Sequence, residues 1–265
     1  MKNTLRLALT AAIIAAAPMA AHAHRQWMLP SATVLSGNDP WLTVDAAVSN
    51  DLFYFEHQPM RLDGVKAIAP DGTEAKIENA STGRYRSTFD VHLTQSGTYK
   101  VMSGGDMLSG SYKVGAETKR WRGTPPEIPA GATEVRTSQN QRRLEVFVTK
   151  GAPTTTVLTP TGKGLEMVPV THPNDLFAGE EATFKLQLDG KPAGDVEVEV
   201  VPGGIRYRDS LNEMKLKTAA DGSFKVKWPE PGMYWLEASV RDDKATVPNA
   251  QRSASYITVL EVLKP

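Results

Sequence analysis

Four histidines follow residue 23, at His24, His57, His92 and His172, and the chain contains no cysteine. Disulfides, thiolate nucleophiles, iron–sulfur clusters and cysteine-based zinc sites are therefore excluded. A metal ion would have to be held by imidazole, carboxylate, thioether or a main-chain amine. His24 stands apart because it follows Ala21-His22-Ala23, an A-x-A peptidase site. That site closes a leader with Lys2 and Arg6 ahead of an apolar stretch over residues 7–17. Cleavage after Ala23 makes His24 the first residue. An imidazole and an α-amine both shed protons near neutral pH, and here one residue would carry both. Such a pair is a ready chelate for copper and for other metals that favour imidazole.

The remaining histidines differ in their surroundings. His57 lies in the loop-like segment Asn50-Asp-Leu-Phe-Tyr-Phe-Glu-His-Gln-Pro-Met60, where Asp51, Glu56 and Met60 are further ligand types. His172 lies in Thr171-His-Pro-Asn-Asp175, a turn signal ahead of a strand. His92 alternates with Phe89, Val91 and Leu93 and reads as the wet side of a strand. No two of these histidines have the spacing of a local chelate, so a site drawn from His24, His57 and His172 has to be assembled by folding. Other chemistry finds less support. There is no Gly-x-Ser-x-Gly nucleophile elbow, and the turns at residues 103–105 and 201–205 lack the strand-to-helix context of a phosphate loop. Two basic clusters, Lys119-Arg-Trp-Arg122 and Gln141-Arg-Arg143, could grip an anion such as citrate or another carboxylate chelate.

The elements that must position these residues read as strands. Trp41–Val48 is rich in strand formers, and Val196-Glu-Val-Glu-Val200 alternates with period two. Residues 84–93, 98–102, 143–148, 182–188, 223–228, 234–240 and 255–262 have similar content. Asp-Gly pairs at 63–64, 71–72, 189–190 and 221–222 mark turns. After His24 no stretch carries an apolar stripe of helical period. The fold class expected is all-β: two immunoglobulin-like β-sandwich domains after a cleaved signal peptide over residues 1–23. The N-terminal domain is placed at 24–155 and the C-terminal one at 165–265, with the Thr/Gly/Pro-rich 151–166 as linker. Residues 120–142, poor in apolar side chains, read as a long surface excursion. Trp228 and Trp235 flank a hairpin at Pro229-Glu-Pro-Gly232 and read as core.

The 30 basic and 30 acidic residues balance, which recommends no nucleic-acid partner. No apolar run after residue 23 approaches the roughly 20 residues that span a bilayer. The product is expected to be exported, with the periplasm as its address.

His24-Arg-Gln-Trp-Met-Leu-Pro30, the strand at 41–48, His57, and a second half opened by Pro169-Val-Thr-His-Pro-Asn-Asp-Leu-Phe-Ala-Gly-Glu180 together resemble a family of exported bacterial proteins. Its members are described as domains of unknown function or as periplasmic components of cobalt or nickel uptake. The resemblance runs over essentially the whole chain after the leader. Similar chains sit beside outer-membrane TonB-dependent receptors and PepSY-type membrane reductases, which implies iron or another transition metal. It carries a metal role to His24 and His57; other members often have no histidine at the turn that holds His172.

These observations converge on a non-enzymatic periplasmic protein that handles a transition metal: copper, iron, nickel or cobalt. Its partners would be the ion or a metal chelate, and an outer-membrane receptor or an inner-membrane transporter or reductase. Two other readings stay open. One is a metal-free sandwich module docking on a receptor or carbohydrate. The other is a copper oxygenase built on an N-terminal histidine brace.

Overall fold

Side chains alternate between buried and more accessible over Trp41–Ala46 of β3 and along β8, as period-two patterning requires of a strand with one wetter face. The computed structural model describes residues 24–265; the expected leader at 1–23 lies outside them. In chain order the strands are β1 (Arg25–Pro30), β2 (Val34–Leu35), β3 (Trp41–Ser49), β4 (Gln58–Pro59), β5 (Lys66–Ile68), β6 (Glu74–Ala75), β7 (Ile77–Thr82), β8 (Ser87–His92), β9 (Gly97–Val114), β10 (Glu117–Arg122) and β11 (Thr133–Lys150). They continue as β12 (Leu165–Pro169), β13 (Glu181–Leu188), β14 (Lys191–Pro192), β15 (Glu197–Pro202), β16 (Met214–Lys217), β17 (Ser223–Lys227), β18 (Gly232–Asp242) and β19 (Ala250–Val262). The other regular elements among the described residues are two 3-10 turns, and no helix there is long and apolar enough to cross a membrane.

Three sheets result. Five strands, β1-β3-β8-β7 with β4 on β3, form an outer sheet of the N-terminal half. Ten strands form a central sheet in the order β16-β15-β18-β19-β11-β9-β5-β6, with β10 on β9 and β2 on β11. Four strands, β12-β13-β14 with β17 on β13, form the outer sheet of the C-terminal half. The central sheet is common to both halves because β11 and β19 pair in parallel, from Thr137 opposite Ala250 to Glu145 opposite Thr258.

Each outer sheet covers a different face of that shared sheet. Leu144, Val146, Val148, Trp235, Ile257 and Val259 join Trp27, Leu42, Val44 and Phe89 in one core. Phe147, Tyr234, Leu236, Tyr256 and Leu260, of the alternate parity, join Phe184, Leu186, Val226 and Trp228 in the other. Strands covered on both faces read as near-continuous apolar runs, as in Leu144-Glu-Val-Phe-Val148 and Tyr256-Ile-Thr-Val-Leu260.

The C-terminal half has the immunoglobulin-like strand order, with β12, β13 and β17 facing β16, β15, β18 and β19. Tyr234, near the start of β18, donates its hydroxyl back to the Glu230 carbonyl at 2.8 Å, the corner bond of such sandwiches. Asp189 and Gly190, with φ of 52° and 74°, make the two-residue turn between β13 and β14. That left-handed pair is what an Asp-Gly hairpin supplies. Trp228 and Trp235 are core residues, as expected.

The surface excursion is shorter than residues 120–142. β10 runs to Arg122 and β11 starts at Thr133, so only the segment 123–132 is loop. The sequence hides these strands because their side chains meet water, while backbone bonds to β9 carry the pairing. Residues 151–164, within the expected linker, hold no strand, and Thr154 there donates its backbone N–H to Thr98 Oγ1 at 2.9 Å.

Trp235 is a C-terminal residue in the N-terminal core, and its indole N–H donates to the Gln26 carbonyl at 3.0 Å. Trp235→Ala is expected to cost about 3–5 kcal/mol. Urea denaturation should show both halves of the variant and of the wild type melting in one transition; two separable transitions would contradict the shared core.

Candidate functional site

β1 and β4 lie on opposite sides of β3, and both run antiparallel to it. Their first residues therefore sit at one end of β3, opposite Ser49 and Val48. His24 immediately precedes β1 and His57 immediately precedes β4, so the two exposed imidazoles meet over that end. Their ring centroids are 3.8 Å apart and their planes 4° from parallel.

The loop carrying His57 is held from several directions. Glu56 Oε1 accepts the backbone N–H groups of Asn50 and Asp51 at 2.8 and 3.0 Å. The buried Trp27 indole donates to Ser49 Oγ at 2.8 Å, and that hydroxyl donates to the Asp51 carbonyl at 2.7 Å. Phe53 meets the Trp27 ring edge-on with centroids 5.5 Å apart. Its φ of 64° is a left-handed conformation that bulky residues rarely adopt. Such strain costs about 1–3 kcal/mol and persists only where packing enforces it. Here a Cβ on Gly203, from the C-terminal half, would come within 3.0 Å of the Phe53 ring. Arg206 caps the Tyr54 ring, 3.8 Å from its centroid. The position of His57 is thus set by contacts from both halves. Phe53, Tyr54, Gly203 and Arg206 were not singled out from sequence; the aromatic run at 53–55 was their only local signal.

The other candidates are elsewhere or otherwise committed. Met60 is core, 2% exposed, and offers no thioether to the pair. His172 belongs to a separate cluster. Its Nδ1 accepts the Asn174 backbone N–H at 3.1 Å, and Nε2 faces the Thr154 carbonyl at 3.2 Å and Thr98 Oγ1 at 3.1 Å. Thr98 Oγ1 in turn meets Thr149 Oγ1, and Thr149 pairs with Val34 beyond the far end of β1. The six residues of β1 rise about 20 Å, so the fold does not bring His172 to His24 and His57. His92 stacks on Trp41 at 4.4 Å and contacts Asp39 at the strand surface, as its alternation suggested.

Among the described residues, no three His, Asp or Glu side chains converge as a metal cluster. The donor set at the end of β3 is two imidazoles, to which processing after Ala23 would add the His24 amine. In-plane lone pairs of stacked rings point along parallel planes. With centroids 3.8 Å apart and planes nearly parallel, an ion in the plane of one ring lies out of the plane of the other, so shared coordination requires a ring rotation. Both rings are exposed, which leaves room for one.

Of the two basic clusters, the second is spent internally at Arg143, while Arg142 is exposed. Arg143 pairs with Glu145 at 3.2 Å and Glu166 at 3.4 Å, and Arg142 donates to Gln26 Oε1 at 2.5 Å. Among the described residues, the guanidinium groups of the first cluster have no carboxylate partner.

A family model described as a domain of unknown function (DUF4198) matches residues 21–242. The chain belongs to that family. No curated protein matches it. Among solved structures, the D0-D1 domain of intimin shares 13% identity over 89% of this chain and 97% of its own, with a TM-score of 0.23. The two tandem V-type regions of VCBP3, a v-region-containing chitin binding protein, share 9% identity over 88% of this chain and 98% of theirs, with a TM-score of 0.19. Superpositions this loose carry no argument about function. The fold assignment stands on the strand order and register above.

Burial lowers the His172 pKa, against opposing pulls from the Thr154 carbonyl and Asp175. The folded state thus favours the neutral ring, and the unfolded chain binds the proton more readily. This contribution is intact above the ordinary imidazole pKa of about 6.5 and is lost as pH falls through the depressed folded value. The stability gap between wild type and His172→Gln should therefore shrink between pH 8 and pH 5 in chemical denaturation. Parallel stability curves would contradict this assignment.

Proposed function

We propose that this protein is an exported, non-enzymatic metal-handling component of the periplasm. In this reading it captures a transition-metal ion with the His24 imidazole and amine and the His57 imidazole. The observation that supports it is the convergence of two exposed imidazoles, 33 positions apart in sequence, on a rigidly backed edge. Nitrogen donors of this kind suit copper best, while the resemblance to cobalt and nickel uptake components and to chains beside TonB-dependent receptors favours nickel, cobalt or iron. A sparse, exposed donor set suits capture and handover to an outer-membrane receptor or an inner-membrane transporter or reductase; closed structural sites have four fixed ligands.

The parallel stacking of the rings favours a second reading, a metal-free sandwich module that docks on a receptor or on carbohydrate, because the pair is already a closed contact. The two separate on one experiment. Protein processed to His24 is melted with and without copper(II), nickel(II) or cobalt(II). Metal at a hundredfold excess over its dissociation constant should stabilise the native state by about 2.7 kcal/mol. His24→Ala and His57→Ala should each erase most of that gain, non-additively because both report one site, whereas His172→Ala should leave it intact. An extra Ala ahead of His24 should do comparable harm while keeping every side chain. Equal stabilisation of that extended protein would remove the N-terminal chelate and promote the docking reading.

A further inference from the structure

Beyond the rim of the five-stranded sheet, the face of β11 that packs Leu144 and Val146 into the N-terminal core continues uncovered. There β9 is flanked by β10 and β11, and the register is continuous across all three strands. Arg120, Ser111 and Arg136 lie in one row; Arg122, Ser109 and Ser138 lie in the next. Direct cross-strand partners share a face, as do residues two apart along a strand. Three guanidinium groups and three hydroxyls therefore stand together, around an open pocket of about 540 Å³. With strands about 4.8 Å apart and alternate residues about 6.7 Å apart, the three arginine Cα atoms fall within roughly 12 Å.

Trp121 holds this platform from behind. It pairs with Gly110, and a Cβ on Gly110 would come within 2.6 Å of the indole ring. The glycine thus lets the ring lie flat on β9 and pins β10 against it.

Neighbouring cations are neutralised. Lys113 pairs with Glu134 at 2.6 Å and Lys119 with Glu117 at 4.0 Å. Glu134 has φ of 49° within the bulge between Thr133 and Arg136, and its bonded oxygen goes to Lys113. Among the described residues, Arg120, Arg122 and Arg136 make no ion pair, and all three are exposed. Charged residues on an edge strand discourage unwanted strand addition, and β10 is such an edge. At Arg136 the far side of β11 is also unpaired, since β19 joins only from Thr137, but edge protection does not account for three guanidinium groups gathered on one face without a counter-charge.

We propose that this face is a binding site for a small multivalent oxyanion, a di- or tricarboxylate or a pyrophosphate-like group. Forked guanidinium donors would grip two of its oxygens at a time, and the serine hydroxyls would complete the shell. The site is independent of the histidine pair and does not rest on the metal reading.

Isothermal titration of the full exported protein with citrate, and separately with inorganic pyrophosphate, tests it. At least one probe should bind saturably at low salt and weaken at high salt. Arg120→Gln and Arg136→Gln should each lose about tenfold in affinity, the scale of one charge-assisted bond. Arg136→Lys should also weaken binding, because it keeps the charge without the fork. Glu134→Gln should tighten binding, and a His24→Ala/His57→Ala double variant should match wild type. Because the arginines are exposed, their variants should keep the wild-type melting temperature, which separates lost binding from lost fold. Vesicles of phosphatidylglycerol and phosphatidylcholine should sediment no more of the protein than phosphatidylcholine alone. Two outcomes overturn the proposal: neither probe binding more tightly than to an Arg120→Gln/Arg136→Gln double variant, or anionic vesicles binding while both soluble probes fail.

Discussion

Nine residue pairs between β11 and β19, running parallel, join the end of the N-terminal half to the last strand of the chain. Parallel neighbours need a crossover connection, and here the crossover is the rest of the C-terminal sandwich, β12 to β18. The consequence is mechanical. A sheet shared by two cores cannot let one half move without disturbing the other. Trp235 and Ile257 reach from the C-terminal strands into the core around Trp27, and the Trp235 indole holds the backbone of β1 at Gln26. The start of β1, and with it His24, is thereby fixed relative to the loop that bears His57.

Charge is handled along the same seam. Glu145, 4% exposed on β11, faces Arg143 at 3.2 Å and accepts the Tyr256 hydroxyl from β19 at 3.1 Å. Arg143 extends to Glu166, whose two oxygens also accept backbone N–H groups of Thr161 and Gly162. Removing one member would leave a buried charge without its partner, a larger penalty than the pair itself contributes. The seam thus specifies register by polar matching as well as by apolar burial. It also explains why Arg143 is unavailable to an anion while the arginines of the projecting β9–β10–β11 region remain open.

The all-β class was legible because alternation and Asp-Gly turns are local signals: β15 and the turn at Asp189-Gly190 could be read directly. The shared sheet was not. Nothing local in Arg143–Val148 or Ser255–Val262 says that they pair, since pairing between segments a hundred residues apart is a property of the whole core. The polar strands at 117–122 and 133–142 escaped notice because exposed strands carry no apolar alternation. In the site, His24 and His57 could be nominated by residue type and position, but their meeting depends on β1 and β4 flanking β3, which neither segment reveals. His172 was nominated on the same grounds and stands at a different place, where a Pro-flanked turn needs an acceptor for the Asn174 N–H.

The central claim is that one edge of this fold assembles a nitrogen chelate from His24 and His57. Electron paramagnetic resonance of copper(II) added in equal amount to the processed protein tests it most directly. The account predicts a single species with nitrogen couplings from two imidazoles and one amine, losing one imidazole coupling in His57→Ala and remaining unchanged in His172→Ala. A spectrum of copper in water, or one indifferent to His57→Ala, would contradict it.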